Sequence, residues 1–212
     1  MEKRSFKPGN MLYPLPAVMV SCQGTEGKPN NITVAWAGTI CSDPPMLSIS
    51  VKKERFSHHL LMEGKEFVVN LTNKALVRAT DFCGVTSGRD LDKFKETGLT
   101  PMPSKVVKVP SILESPVNIE CQVTQVLELG SHDMFLAKVV HVSVDEALMD
   151  ERDTLRLKNA DLISYSHGRY FLLGKELGTF GYSIRKKPVE KKNSGKKKAK
   201  QNKKRSKKKV SA

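Results

Sequence analysis

The chain has 212 residues, the size of one domain with an appendage, and such a domain can bury a core without disulfide or metal staples. Its four cysteines form no CxxC pair and its five histidines no HxxxH pair, which excludes the usual ligand spacings of a zinc site and favours reduced, buried thiols in a cytoplasmic protein. No apolar run reaches the roughly 18 residues of a membrane span, and the first ten residues lack the apolar stretch of a signal peptide.

The formal net charge of +14 is confined to the end of the chain. Residues 185–212 contain fifteen Lys or Arg and a single acid, Glu190, whereas residues 1–184 are neutral overall. So polar a segment cannot offset its ordering entropy, and we predict a folded domain over residues 1–184 and a disordered Lys-rich tail over residues 185–212. The tail either makes weak, non-specific contact with RNA, DNA or an anionic membrane surface, or has no specific role.

From residue 15 onward the pattern is mostly β, with short helices between the strands. We predict strands over residues 15–23, 31–40, 46–52, 66–72, 117–124, 134–144, 161–164 and 169–173. We predict helices over residues 56–64, 74–82 and 90–97. The strands at 117–124 and 134–144 should form a long hairpin. Many strands with short inserted helices favour a closed or nearly closed antiparallel barrel, which leaves no hazardous edge.

The strands at 31–40 and 46–52 share an unusual face of small, lightly polar residues. A period of two would place on that face Thr33, Ala35, Ala37, Thr39, Ser48 and Ser50. It would place on the opposite, mostly apolar face Ile32, Val34, Trp36, Gly38, Ile40, Leu47, Ile49 and Val51. Small side chains let a flat aromatic ligand approach the backbone, and the hydroxyl and amide groups can bond its edge. The sequence Pro44-Pro45 restricts the turn between the two strands.

A candidate anion site follows directly, in the sequence Lys52-Lys-Glu-Arg55-Phe-Ser57-His58. Lys52 and Arg55 can meet an anion, and Ser57 as an N-cap would open a helix whose free N–H groups favour phosphate. Taken singly, Ser57 is more often only a cap, Arg55 a surface cation and His58 a helix residue with a satisfied hydrogen bond. Their order, a flat-ring surface that leads into a phosphate site, favours flavin mononucleotide (FMN).

The chain resembles the flavin reductase-like, or flavoredoxin, family of FMN-binding split barrels. The resemblance covers residues 10–183 and rests on LPAVMVSC, GKPNNITVAWAGTICSDPPMLSISVKKERFSHHLL, GKEFVVNLT, DFCGVTSGRDLDKF and SPVNIECQV with the hairpin after it. It implies a mostly β fold with flanking helices: a six-stranded antiparallel split β-barrel that forms a homodimer, with FMN near the subunit interface.

The resemblance also implies which residues bind the cofactor. Those expected along the isoalloxazine and ribityl chain are Asn31, Thr33, Ala35, Trp36, Ser48, Ser50, Val51 and Lys52. Those expected at the phosphate are Arg55, Ser57 and His58. The segment 83–93 matches a family loop that lies close to the flavin and can come from the partner subunit. The Lys-rich tail has no counterpart in the family pattern.

The function implied is an FMN-dependent oxidoreductase that takes electrons from NADH or NADPH and passes them to an unidentified acceptor. The flavin would carry the chemistry, so we assign no catalytic side chain and no metal, and we interpret Cys83 as a buried inert thiol. Two alternatives remain: an electron-carrier flavoprotein with little nicotinamide activity, and a binding module whose basic tail matters most. The chain has no GxGxxG fingerprint, but in the family it resembles the nicotinamide lies directly on the flavin.

Overall fold

A computed structural model describes residues 1–185. The chain divides into a unit of residues 1–174 and a second unit that begins at Lys175. The predicted tail, apart from Arg185, lies outside the described residues. Within the described part of the chain, every helix is too short or too polar to cross a membrane.

Twelve strands and three α-helices make up the regular structure of residues 1–174. The strands are β1 Leu15–Pro16, β2 Val18–Cys22, β3 Asn30–Val34, β4 Ala37–Ser42, β5 Pro45–Lys52, β6 Glu66–Leu71, β7 Pro101–Met102, β8 Ser111–Ile112, β9 Val117–Glu128, β10 His132–Val144, β11 Ile163–Ser166 and β12 Arg169–Leu172. The helices are α1 Phe56–Gly64, α2 Val77–Val85 and α3 Lys93–Thr97. Short 3-10 turns lie at Lys74–Leu76, Glu146–Leu148 and Leu157–Ala160.

The main sheet is antiparallel, with the strand order β3-β2-β6-β9-β10-β5-β4. β3 and β4 follow each other in the chain but stand at opposite ends of this order, so the sheet curls round and the chain itself closes the barrel. At the seam, Ser50 N donates to Trp36 O at 2.9 Å. The predicted mostly β split barrel and its β9–β10 hairpin are confirmed. The sheet has seven strands instead of six because the predicted strand 31–40 is broken in two.

The barrel core follows the period-two alternation of its strands. On β5, Leu47, Ile49 and Val51 are buried and the residues between them are not. They pack with inward residues of the other strands, including Val20, Phe67, Cys121, Phe135 and Ala137. Burying a side chain of this size contributes about 1.5–3 kcal/mol, so the core fixes which face of each strand points outward.

The prediction of one continuous strand over 31–40 was wrong, and with it the assignment of faces after Val34. A bend at Ala35–Trp36 resets the alternation between β3 and β4. Ala37 therefore packs against the core instead of sharing a face with Thr33, and Ile40 is 47% exposed instead of buried. Trp36, predicted among the apolar residues, is 39% exposed at the bend.

The helix predicted over 56–64 is confirmed as α1, but its cap is not the predicted residue. Arg55 occupies the N-cap position without a capping side-chain bond, and Ser57 lies buried in the first turn. The second predicted helix begins as a 3-10 turn, so α2 starts at Val77. The third is shorter than predicted, because Asp92 accepts from Lys95 N at 3.2 Å and caps α3.

Candidate functional site

Two adjoining cavities lie between β3, the start of α1 and the end of α2. The first is an open cleft of about 460 Å³ that also reaches β5 and the β11–β12 hairpin. The second, of about 220 Å³, is bounded by the start of α1 and by the chain that follows α2. Ile32 and Arg55 line both, so the two cavities lie side by side.

Small side chains and close backbone packing form one wall of the cleft. Thr33 of β3 and Ala35 at the bend line it, and the Thr33 hydroxyl donates to the carbonyl of Thr80 on α2. A Cβ at Gly84 would stand 3.3 Å from the Thr33 Cβ, so glycine at this position keeps α2 close to the strand. A flat ligand can therefore approach the backbone along this wall.

Aromatic rings form the other walls. The rings of Trp36 and His132 lie 4.4 Å apart between centroids, and both line the cleft. Burial, followed by the charge of Lys52, lowers the pKa of His132, which favours its neutral form. Tyr165 and Tyr170 line the cleft from the β11–β12 hairpin.

The second cavity is cationic. Arg55, Arg89 and Lys93 line it, against one carboxylate, Glu54, whose side chain bonds to Lys52. Lys93 is only 3% exposed, and its ammonium donates to Cys83 O at 2.7 Å. Burial is the main cause of a lowered pKa at Lys93. A cation held in so dry a place would gain much from an anionic ligand.

Hydrogen-bonding groups complete this cavity. Asn30 Nδ2 donates to the Ser57 hydroxyl at 2.8 Å, and Thr86 and Ser87 line the opposite side. A Cβ at Gly88 would lie 2.3 Å from Asn30 Oδ1, so a larger residue would push Asn30 out of place. The first turn of α1 begins here, and its backbone N–H groups favour an anion.

The cavities bring together most of the residues predicted from the sequence. Those that line the cleft are Thr33, Ala35, Trp36, Ser50, Val51, Lys52 and Arg55. Ser57 lines the cationic cavity with Arg55. Ser48 lies instead in a third cavity of about 510 Å³, which shares Trp36 and Ser50 with the cleft and is walled by residues 9–13.

Two predicted residues line none of these cavities. Asn31 is fully buried and its amide contacts Met19 Sδ at 3.5 Å, while the neighbouring Asn30 reaches the cationic cavity instead. His58 Nε2 forms a hydrogen bond with the Asp133 carboxylate at 2.8 Å. His58 is therefore a helix residue with a satisfied hydrogen bond, which the sequence analysis gave as the alternative to a phosphate ligand.

Sequence reasoning missed several residues that line the site. They are Asn30, Asp81, His132, Tyr165 and Tyr170. The segment 83–93 carried a usable signal, since it supplies Arg89 and Lys93, and it does so within the same chain. Asn30 and Asp81 lie within two residues of the predicted segments, whereas His132, Tyr165 and Tyr170 come from distant parts of the sequence. His132, for example, reaches the cleft because β10 pairs with β5 and sets it opposite Lys52.

Comparison with known proteins identifies the family. Residues 11–171 match the family model described as the flavin reductase like domain. A protein of Archaeoglobus fulgidus is 34% identical over 147 residues, which are 69% of this chain and 82% of that protein. An NADH-dependent flavin reductase of Pseudomonas fluorescens is 26% identical over 149 residues, 69% of this chain and 82% of the relative. Flavoredoxin of Desulfovibrio vulgaris (Miyazaki F) superposes with a TM-score of 0.80 at 28% identity, covering 87% of this chain and 100% of flavoredoxin. The chain therefore belongs to the flavin reductase-like family.

Proposed function

We propose that the protein binds FMN and acts as a flavin reductase-like oxidoreductase that takes electrons from NADH or NADPH. One observation carries the proposal: a cleft with small and aromatic walls adjoins a small cationic cavity, and Arg55 lines both. A flat ring joined by a flexible chain to a phosphate has the matching shape and charge.

The residues of both cavities fit this cofactor. A cleft of about 460 Å³ lies within the usual range of ligand sites, roughly 300–1,000 Å³. Among residues 1–185, no carboxylate lies within ion-pair distance of the buried Lys93. A phosphate in the second cavity would supply the missing negative charge. Arg55, Lys93 and the Ser57 hydroxyl would hold it, and Thr33, Ala35 and Ser50 would lie along the ring and its chain.

When bound, FMN supplies a ring that accepts a hydride or electrons. The protein's own residues position the cofactor and limit the access of water. Arg55 and Lys93 fix the anionic end, and Thr33 holds α2 against β3 through its bond to the Thr80 carbonyl. Trp36 and His132 close one side of the cleft, and the open side leaves room for a second reactant. We assign no catalytic side chain.

The thiols support flavin chemistry over thiol chemistry. All four cysteines are free, and three are buried. Burial raises the pKa of Cys22 and Cys121 to about 12 and that of Cys83 to about 11, so the reactive thiolate is disfavoured at each. Free thiols also favour a reducing compartment such as the cytoplasm.

The proposal includes a homodimer with the site near the interface. Apolar side chains are exposed on residues 1–174 along two strands, Ile40 on β4 and Phe171 and Leu172 on β12. β12 also supplies Tyr170 to the cleft, so a partner that covered this strand would lie close to the site. The expected measurement is a molar mass twice that of the chain by light scattering.

A titration tests the cofactor. FMN should bind more tightly than riboflavin, because each charge-assisted hydrogen bond to the phosphate contributes about 1.5–3 kcal/mol. The double variant Arg55→Ala, Ser57→Ala should erase the preference for FMN and leave riboflavin binding nearly intact. Lys138→Ala, which removes an exposed charge on β10 away from the cavities, should change neither affinity. Equal affinities for FMN and riboflavin in the unmodified protein would remove the phosphate site.

The similarity to flavoredoxin favours a second candidate, an electron carrier with little nicotinamide activity. Anaerobic mixing of the FMN-loaded protein with NADH or NADPH separates the two. Rapid loss of the visible flavin band supports the reductase, and the faster nicotinamide identifies the donor. Retention of the band with both nicotinamides, and its loss with a reduced protein carrier, supports the electron carrier.

A further inference from the structure

A carboxylate, Asp81, lines the cleft beside the tyrosine pair of the β11–β12 hairpin. Asp81 of α2, Tyr165 and Tyr170 line the cleft but not the cationic cavity, which instead takes Thr86 from the end of the same helix. At about 1.5 Å per residue, Asp81 stands roughly 7 Å before Thr86 along the helix. The site therefore has a cationic end and an end with a single negative charge.

The carboxylate is held in place by the hairpin. Tyr170 donates its hydroxyl to Asp81 Oδ1 at 3.2 Å. The Tyr170 ring is fixed in turn by its cross-strand partner Tyr165, at 5.6 Å between centroids. Tyr13 adds a third ring, 6.5 Å from Tyr165. Asp81 is exposed, so its other oxygen is open to solvent or to a ligand, and no basic side chain of residues 1–185 lies within ion-pair distance of it.

The carboxylate of Asp81 has no role in holding an anionic cofactor such as FMN. A negative charge in the cleft gains nothing from an anionic cofactor, since like charges repel. A carboxylate accepts hydrogen bonds and cannot donate them, so it favours ligands with N–H or O–H groups and rejects anions. Tyrosine rings beside it offer a flat surface for stacking.

We propose that Asp81, oriented by Tyr170, is the specificity determinant for the second reactant. That reactant is a flat ring, neutral or cationic, which stacks on the Tyr165–Tyr170 wall and donates an N–H or O–H hydrogen bond to Asp81. The inference rests on the proposed flavin chemistry and adds to it the class of molecule that enters beside the cofactor. Two sources share this chemistry: the carboxamide ring of a nicotinamide donor and the phenolic ring of an acceptor.

A binding experiment tests the proposal without turnover. Trp36, the single tryptophan of the chain, lies in the same cleft, so its fluorescence reports a ligand that enters there. The FMN-loaded protein is titrated with two pairs of probes, nicotinamide against nicotinate and phenol against anisole. Within each pair the rings are alike, but only the first member is an uncharged hydrogen-bond donor.

In at least one pair, the donor should bind at least about fivefold more tightly than its partner. This minimum is smaller than the effect of a fully buried hydrogen bond to a charge, because Asp81 is exposed to solvent. The pair that shows the preference identifies the source. Asp81→Asn keeps one acceptor oxygen and removes the charge, so the preference should fall, chiefly through tighter binding of nicotinate. Tyr170→Phe keeps the ring and should weaken the preference in part. Glu151→Gln, an equal change of charge at an exposed residue outside the cleft, should leave it unchanged.

Equal affinities within both pairs would overturn the proposal, as would a preference that persists in both Asp81→Asn and Tyr170→Phe. FMN titration of the same samples separates this failure from failure of the proposed function. Normal FMN affinity without a probe preference defeats only the role of Asp81. A protein that does not bind FMN defeats the proposed function itself.

Discussion

Lys93 is the residue at which burial and the proposed function conflict most directly. Burial lowers its pKa, and the charge of Arg55 acts in the same direction. A neutral lysine cannot pair with phosphate, so FMN affinity should fall as pH rises through this lowered pKa, below the usual value of about 10.4. FMN titrations across alkaline pH measure the effect. Lys93→Met should bind FMN more weakly and lose this pH dependence, whereas Lys138→Met should keep it.

The same lysine should affect stability with the opposite trend. Its pKa is lower in the folded protein than in the unfolded chain, so the unfolded chain binds more protons between the two values. The unfolding free energy of the FMN-free protein should therefore rise with pH across this window, relative to Lys93→Met. A difference between the two proteins that stays constant with pH would show that Lys93 titrates normally.

A substitution at Ala35 should affect cofactor binding without affecting the stability of the barrel. Ala35 lines the cleft and is half-buried, so Ala35→Leu should fill the space of the ring and abolish FMN binding while the barrel still folds. Val20 is fully buried in the barrel core and does not line the cleft. Val20→Ala should cost about 1–3 kcal/mol through the cavity it leaves and keep FMN affinity. Denaturant unfolding and FMN titration of both variants measure the two effects. A reversed pair of phenotypes would mean that Ala35 belongs to the core and Val20 to the ligand site.

At the scale of elements, the loop between β7 and β8 is anchored by one carboxylate. Glu120 of β9 is 1% exposed and accepts hydrogen bonds from the backbone N–H groups of Lys105, Val106 and Val107 at 2.7–3.1 Å. Burial alone would raise the pKa of Glu120, but these bonds outweigh it and the pKa is lowered. The anchored loop packs Val107 and Val109 against Val68.

Glu120→Gln should therefore cost about 1–3 kcal/mol of unfolding free energy at neutral pH, because one oxygen acceptor is replaced by a donor. Since the folded-state pKa is lowered, the stabilisation is present above about pH 4.3 and is lost as pH falls through the folded-state value. Urea unfolding should show that the free energies of unfolding of the variant and the unmodified protein differ less at pH 3 than at pH 7. Glu128→Gln, at an exposed surface pair, should change stability by less than about 0.5 kcal/mol at both values.

Elements with a strong local pattern could be predicted, and elements set by distant contacts could not. The alternation of β5 and of the first half of β10 follows from burial on one face, which period-two residues record directly. β9 alternates in sequence too, but Asn118 and Glu120 of its polar face are buried as well. The bend at Ala35–Trp36 left no such mark, because ITVAWAGTI alternates as well as an unbroken strand would. Asp81 and His132 could not be placed in the site, since their positions depend on α2 packing on β3 and on the register of β10 with β5.

At the scale of the whole molecule, the net charge lies outside the domain predicted to fold. Residues 1–184 are neutral and the remaining residues carry the net charge of +14. A truncation that ends at Ser183 should keep FMN affinity, oligomeric state and any nicotinamide oxidation, because screening limits the tail's field to about 8 Å at physiological salt. It should lose the salt-sensitive retention on heparin or RNA that counterion release gives the full chain. Loss of FMN by the truncated protein would contradict the division into a neutral barrel and an independent basic appendage.

The closure of the barrel by residues 30–42 implies that the proposed cofactor would also stabilise the fold. β3 and β4 are the two free edges of the sheet, and they meet where the chain bends at Ala35–Trp36. A ligand that touched Thr33 on β3 and Ser50 on β5, next to β4, would bridge the two edges of the sheet. Lateral opening of the barrel would then require the ligand to leave first. Holding FMN at 100 times its dissociation constant would add about 2.7 kcal/mol against that opening, so the FMN-loaded protein would resist unfolding more than the FMN-free protein.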